Sequence, residues 1–255
     1  MFNARNDNPG GHNSVNRAPI SELISPVWRG KQGLHHIQTL ATGHTGLDAA
    51  LPGNGWPTGA VTELINATAG CGELSLVLPV LAQLSQKKHW IIVVDPPWIP
   101  YPPALHGHGL VLDKLLLVRT QSPGESLWAC EQVLRGIPGG AVLVWPDTLS
   151  FSELRRLQLA AKHSRKIAFI FRHIEAATAS SPAALRLLLT PDDDSLQVRV
   201  IKCRGQRPVS AVRIPTLQPL IPPRVSSSGS SKRSSSASES PLVSFATSRI
   251  GRPSL

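Results

Sequence analysis

The chain has 255 residues, of which 41 % are hydrophobic and 16 % charged, and its net charge is +10. With so few charges the core is expected to consist of long apolar runs rather than salt-bridged helices, and no run approaches the roughly 18 apolar residues of a membrane span. The polar stretch 1–16 lacks the apolar segment of a secretory signal, and Cys71, Cys130 and Cys203 form no CxxC pair, so zinc and thioredoxin-like chemistry lack support and small buried thiols in a reducing cytosol are expected.

Residues 1–26 are rich in Asn, Gly and Pro without an apolar period and are expected to be disordered. A domain is expected at 27–214. Its residues 60–65 read as a short strand. From Glu73 onward, Leu74, Val77, Leu78, Leu81 and Leu84 make a helical stripe that Pro79 should kink. Residues 90–94 and 115–118 are apolar runs of the kind a strand buried on both faces shows. Ser122-Pro123-Gly124-Glu125 reads as a capping box with proline at the first helical position, opening a helix toward Arg135 that stops at Gly136 and Pro138. A strand at 141–145 follows, then a second capping box at Ser150-Phe151-Ser152-Glu153 and a helix to about Ser164. Strands at 167–171, 185–189, 196–201 and 209–214 complete the domain with no long helix among the last three. Strands alternating with helices imply a three-layer α/β/α sandwich with a mostly parallel sheet and an added antiparallel edge.

The tail 215–255, with its prolines and serine runs, cannot build a core and is expected to be disordered. From Arg204 to Leu255 there are eight basic residues and one acid, a charge of +7, so the rest of the chain carries only +3. A nearly neutral body with a basic end suits an acidic partner, nucleic acid or protein, as well as a purely solubilising extension.

Between the 60–65 strand and the Glu73 helix lies the position of a phosphate-binding loop. The pattern G-x-x-x-x-G-K-[ST], with Gly72 as its last glycine, puts Ala67 at the first glycine, Glu73 at the lysine and Leu74 at the Mg²⁺-holding hydroxyl, with Gly70 inside the loop. Glutamate repels a triphosphate where lysine attracts it, and a reversed charge a few Å away costs several kcal/mol at intermediate dielectric. The nucleotide loop is therefore read as vestigial, and neither a cofactor nor a metal is expected. Asp95 and Asp147 follow apolar strands where a metal-holding aspartate belongs, but both sit beside prolines and read as turn-forming.

Several blocks resemble a known family. Val27-Trp28-Arg29-Gly30, the stretch Thr42 to Glu63 with its Trp56-Pro57 pair, Gly72-Glu73-Leu74-Ser75-Leu76, Pro96-Pro97-Trp98-Ile99-Pro100-Tyr101, Leu127-Trp128-Ala129-Cys130-Glu131-Gln132 and Lys202-Cys203-Arg204-Gly205 are together similar to the ImuA family, over roughly 27–205. The resemblance implies a RecA-like fold with a degenerate nucleotide loop. It also implies a non-catalytic adaptor in SOS-induced, error-prone translesion synthesis, with a Y-family-like ImuB, RecA and an error-prone replicative-type polymerase subunit as partners. SulA, the cell-division inhibitor, resembles the same reduced core. It supplies the second reading: an SOS inhibitor that binds a tubulin-like division protein. A RecA-type DNA-dependent ATPase comes third, and Glu73-Leu74 speaks against it.

Partner or DNA contacts are sought at exposed aromatic and basic residues. Trp98 and Tyr101, set among prolines, suit a protein anchor as well as packing on the sheet. Arg155 and Lys162, seven apart and accompanied by Arg156, Arg165 and Lys166, suit a DNA or partner patch as well as a solvated helix face. Arg204, Arg207 and Arg213 suit a basic edge and weak, non-specific DNA binding. The His35-His36 and His106/His108 pairs lack the company a metal needs and read as surface histidines.

Overall fold

The computed structural model describes residues 38–136, 140–203 and 211–216. The expected segment 1–26, the stretch 27–37 with Val27-Trp28-Arg29-Gly30 and His35-His36, Arg204 and Arg207 lie outside the described residues; of the expected tail 215–255, Pro215 ends strand β10 and Thr216 is described, and the rest lies outside them. In chain order the elements are β1 (Thr39–Leu40), α1 (Thr45–Ala50), β2 (Trp56–Pro57), β3 (Ala60–Asn66), α2 (Glu73–Gln86), β4 (Ile91–Val94), α3 (Pro102–Gly107), β5 (Leu115–Val118), α4 (Pro123–Arg135), β6 (Ala141–Val144), α5 (Phe151–Ser164), β7 (Ile167–His173), β8 (Leu185–Asp192), β9 (Ser195–Cys203) and β10 (Val212–Pro215). A 3₁₀ turn, Ile174–Thr178, follows β7.

Eight strands form one sheet in the order β10-β9-β8-β3-β7-β6-β4-β5, and β1 pairs with β2 in a separate ribbon. β8, β3, β7, β6, β4 and β5 run parallel to one another, while β9 is added antiparallel to β8 and β10 antiparallel to β9. The mixed α/β class, the mostly parallel sheet and the antiparallel edge follow the expectation. Alternate residues of the central strands face opposite ways. Leu64, Val93, Leu143 and Phe169 join α1, α2 and α3 in one apolar core, and Val61, Ile92, Val142 and Ala168 join α4 and α5 in the other.

The helices stop and start where the sequence marks them, with two corrections. At α5 the capping box is complete: Glu153 N–H donates to Ser150 Oγ, and Ser150 N–H donates to the Glu153 carboxylate at 2.8 Å. At α4 only half of it forms. Glu125 N–H donates to Ser122 Oγ, but the Glu125 carboxylate accepts from Gln121 N–H at 3.0 Å, one residue earlier than expected. α2 runs through Pro79 as a single helix. Pro79 lacks the N–H that the Ser75 carbonyl would take in a regular turn. The His44 ring lies against this turn, its Nε2 3.2 Å from the carbonyl of Leu76, the residue after Ser75. His44 is in turn the residue that opens α1, a short helix the sequence reading missed.

The middle of the sheet contains a charge cluster. Glu63 of β3 is fully buried. Its carboxylate accepts from Arg172 Nη1 of β7 at 2.9 Å, from Arg186 Nε of β8 at 2.6 Å and from Ser181 Oγ at 2.6 Å. Arg186 then donates to the carbonyls of Ala179 and Ala176, and Arg172 to that of Leu149. Every charge here is paired and every oxygen hydrogen-bonded, which is the condition under which buried ions are tolerated.

Two outcomes follow. Glu63→Ala leaves Arg186 buried without a counter-charge and should lower stability by about 3–5 kcal/mol in urea unfolding, with Glu63→Gln less harmful because it retains an acceptor. A loss below about 1 kcal/mol for Glu63→Ala would show that the cluster is not a keystone. Second, burial holds the His44 imidazole below its ordinary value of 6.5, despite the Leu76 and Ser75 carbonyls and Asp48. The unfolded chain therefore takes up the proton first, so this contribution is complete above pH 6.5 and is lost as pH falls through the depressed folded value. Urea midpoints between pH 7.5 and 5 should fall less steeply in His44→Gln than in the parent chain.

Candidate functional site

The C-terminal ends of the parallel strands form the rim where α/β proteins bind ligands. Three features meet there: the loop from β3 to α2, the proline-rich segment after β4, and a crevice at the starts of α4 and α5.

In the loop, Asn66 Nδ2 donates to the Thr68 carbonyl at 2.9 Å and lies 3.4 Å from Cys71 Sγ. Gly70 and Gly72 both adopt positive φ, +83° and +97°, and Gly72 opens α2. A side chain at Gly72 would also put a Cβ 2.9 Å from Thr216 Cγ2, so glycine is needed twice over. Glu73 is buried, and its Oε1 accepts the Gly70 N–H at 2.7 Å. The backbone amide that would greet a phosphate is thus occupied by the chain's own carboxylate. Leu74 is half-buried and packs on the core beneath, whereas Ala67 is exposed. Burial pushes the Cys71 thiol up, with Asn66 working against it.

The segment after β4 begins with Asp95 at φ +45°, whose carboxylate accepts from Thr120 N–H at 2.8 Å and Thr120 Oγ1 at 2.6 Å. Arg119 Nη1 ties the next residue down through the Pro96 carbonyl at 2.8 Å. Held in this way, the segment presents Trp98, Ile99 and Tyr101, which are 61 %, 65 % and 69 % exposed. The Trp98 ring edge reaches over the loop: a Cβ on Gly70 would lie 3.2 Å from it. The crevice beside it encloses about 420 Å³ and is lined by Asp95, Arg119, Trp145, Asp147 and Glu153 among others. The Asp95 carboxylate thus ties two strand ends together through Thr120, not the local turn that its prolines suggested, while Asp147 is exposed at the mouth.

Arg155 and Lys162 are exposed on α5, but Lys166 is not with them. It is buried, which lowers its pKa, and its Nζ donates to the Val133 carbonyl at 2.5 Å. Arg213 of β10 pairs with Asp192 at the end of β8 at 3.2 Å, so its charge is partly spent within the sheet. Only Cys130 is buried outright, its thiol pushed up to about 12; Cys71 and Cys203 are half-buried. No three His, Cys, Asp or Glu residues group to hold a metal among the described residues. No helix among them is long and apolar enough to cross a membrane.

These features define an α/β protein whose β3–α2 loop is closed by its own glutamate and whose rim offers aromatic side chains. The family described as "Cell division inhibitor SulA" matches residues 59–168, which contain the loop, the proline-rich segment and both helices of the crevice. Cell division inhibitor SulA of Edwardsiella piscicida is 32 % identical over 114 residues, 44 % of this chain and 68 % of the relative. That of Photorhabdus laumondii is 31 % identical over 111 residues, 44 % and 63 %. That of Yersinia enterocolitica is 28 % identical over 115 residues, 45 % and 68 %. The chain belongs to the SulA family. This corrects the translesion-adaptor expectation: the matching family and relatives are division inhibitors, and with that reading goes the ground for expecting an ImuB-like protein, RecA and a polymerase subunit as partners.

The loop geometry generates a direct test. Removing the carboxylate in Glu73→Ala should speed hydrogen exchange of the Gly70 amide by about tenfold or more, the value of one charge-assisted bond. Unchanged exchange would mean that the loop is held by something other than Glu73.

Proposed function

We propose that this protein is a non-enzymatic, SulA-type inhibitor of cell division, made in the SOS response and acting in the cytoplasm by direct contact with a tubulin-like division protein. In this reading the fold is a RecA-like three-layer sandwich whose nucleotide loop is degenerate. Membership of the SulA family supports it. The observation that carries the mode of action is the exposed Trp98, Ile99 and Tyr101 trio on its proline-braced segment. Large aromatic side chains that a rigid backbone keeps in water lose little entropy on docking and gain much area, which is how interface anchors work. The Gly70–Glu73 bond supports a role without catalysis, because the positions of the phosphate-binding lysine and the Mg²⁺-holding hydroxyl carry Glu73 and Leu74.

Produced in a rod-shaped bacterium, the chain should cause filamentation and should bind the purified division protein. The double variant Trp98→Ala, Tyr101→Ala should weaken that binding by about thirtyfold, the effect of one strong anchor, and abolish filaments without shifting the unfolding midpoint. Filamentation by the variant at parental level would move the docking site elsewhere, and absence of filaments and binding in the parent chain would overturn the inhibitor reading. ATP turnover with Mg²⁺ should not exceed a buffer blank, and Glu73→Lys should not create it, because Leu74 still cannot hold the metal.

A further inference from the structure

α4 and α5 lie side by side on the sheet face opposite α2. Between them Glu131 is buried and paired with both Arg135, at 2.5 Å, and Arg156. That bridge places the middle of α4 level with the first half of α5, so Trp128 stands at the level of the first turn of α5. Outward from the bridge, Phe151, Arg155, Leu159 and Lys162 follow at i, i+4, i+8 and i+11 and form one stripe along α5. Trp128, Phe151 and Leu159 are 43 %, 49 % and 49 % exposed.

The face therefore alternates apolar and cationic groups. Arg135 and Arg156 keep 63 % and 56 % of their side chains in water, although Glu131 holds one end of each. Arg155 and Lys162 are exposed with no acid on the stripe to answer them. The nearby carboxylates are engaged elsewhere, Glu153 at the start of α5 and Glu125 on the Gln121 amide. One stabilising anion serves two arginines, and two further cations stand outside it. An ordinary solvated helix face carries mixed charges and few large apolar groups. A phosphate-tracking groove has no use for Phe151 and Leu159 between its cations.

We propose that the α4/α5 face docks an acidic amphipathic helix of a protein partner, separately from the Trp98–Tyr101 segment. The stripe from Phe151 to Lys162 spans about 16 Å, room for roughly three turns of a partner helix. Its apolar residues would lie on Trp128, Phe151 and Leu159, and its acids would meet Arg155, Lys162 and the free sides of Arg135 and Arg156. The apolar groups supply affinity and the charges set register and approach.

The test titrates the full chain, at two salt concentrations, against three fluorescently labelled probes: an acidic peptide of about four turns with leucine on one helical face, its scrambled isomer of equal charge, and a short DNA duplex. The amphipathic peptide should bind about tenfold or more tighter than the scrambled one. The double variant Arg155→Glu, Lys162→Glu should weaken it by about tenfold or more and Leu159→Ser by about threefold or more, while Trp98→Ala leaves it unchanged. All these positions are exposed, and an unaltered unfolding midpoint confirms each variant's fold. The proposal is overturned by equal binding of the two peptides, by absence of peptide binding, by DNA bound as tightly as the peptide with Leu159→Ser silent, or by loss of peptide binding in Trp98→Ala. The last result would merge this face with the division-protein site, whereas loss of filamentation alone would leave it untouched.

Discussion

The buried carboxylate of Glu63 is the constraint around which the sheet is assembled. It sits in the central strand, and its partners arrive from the strands on either side and from the segment that links them. Two guanidinium groups neutralise it, and their remaining N–H groups hold backbone carbonyls at the start of α5 and in the turn after β7. A purely apolar core of similar volume would be at least as stable. What the ions add is direction: each hydrogen bond exists in one geometry only, so the relative placement of β3, β7, β8 and the turn is fixed together. The loop from β3 to α2, over which the Trp98 ring reaches, grows from the same central strand.

At the neighbouring corner the same device appears in smaller form. A helix start that faces phosphate in nucleotide-binding proteins here faces Glu73. Once the anion is supplied covalently, the loop needs no ligand to be ordered, and Trp98 can rest across it. The corner supports a surface, since the Trp98 ring edge lies across a loop held by its own carboxylate.

Much of this was legible in the residues. Continuous apolar runs and serine–glutamate starts located most strands and helices, because burial on both faces and cap chemistry are local signals. The replaced lysine and hydroxyl at Glu73 and Leu74 were equally plain. Short elements escaped: α1 and α3 have too few turns to show a period, and the Thr39–Leu40 strand is made by its pairing with Trp56–Pro57 alone. The ion cluster escaped for another reason. Glu63 within an apolar strand was a visible anomaly, but its partners lie 109 and 123 residues away, a distance that no periodicity spans. Lys166 looked like one more member of a basic run and proved to be buried, because strand β7 starts immediately after it. Between the two families the sequence blocks resembled, the first expectation fell on the wrong one, since residues that fold a core do not record what the protein does.

The order of the strands has a consequence for how the chain is made. β3 is the first strand of the main sheet in sequence, yet both of its neighbours in the sheet, β7 and β8, come from its last third. At about 5–20 residues per second of synthesis, roughly 6–25 seconds separate the appearance of Glu63 from that of Arg186. Until β7 is made the central strand of the sheet has neither of its neighbours, and the carboxylate of Glu63 waits for Arg172 and then for Arg186. For that time the growing chain exposes an unpaired strand edge, the kind of surface that chaperones cover, because a sheet closed by its late strands has to wait for non-local contacts.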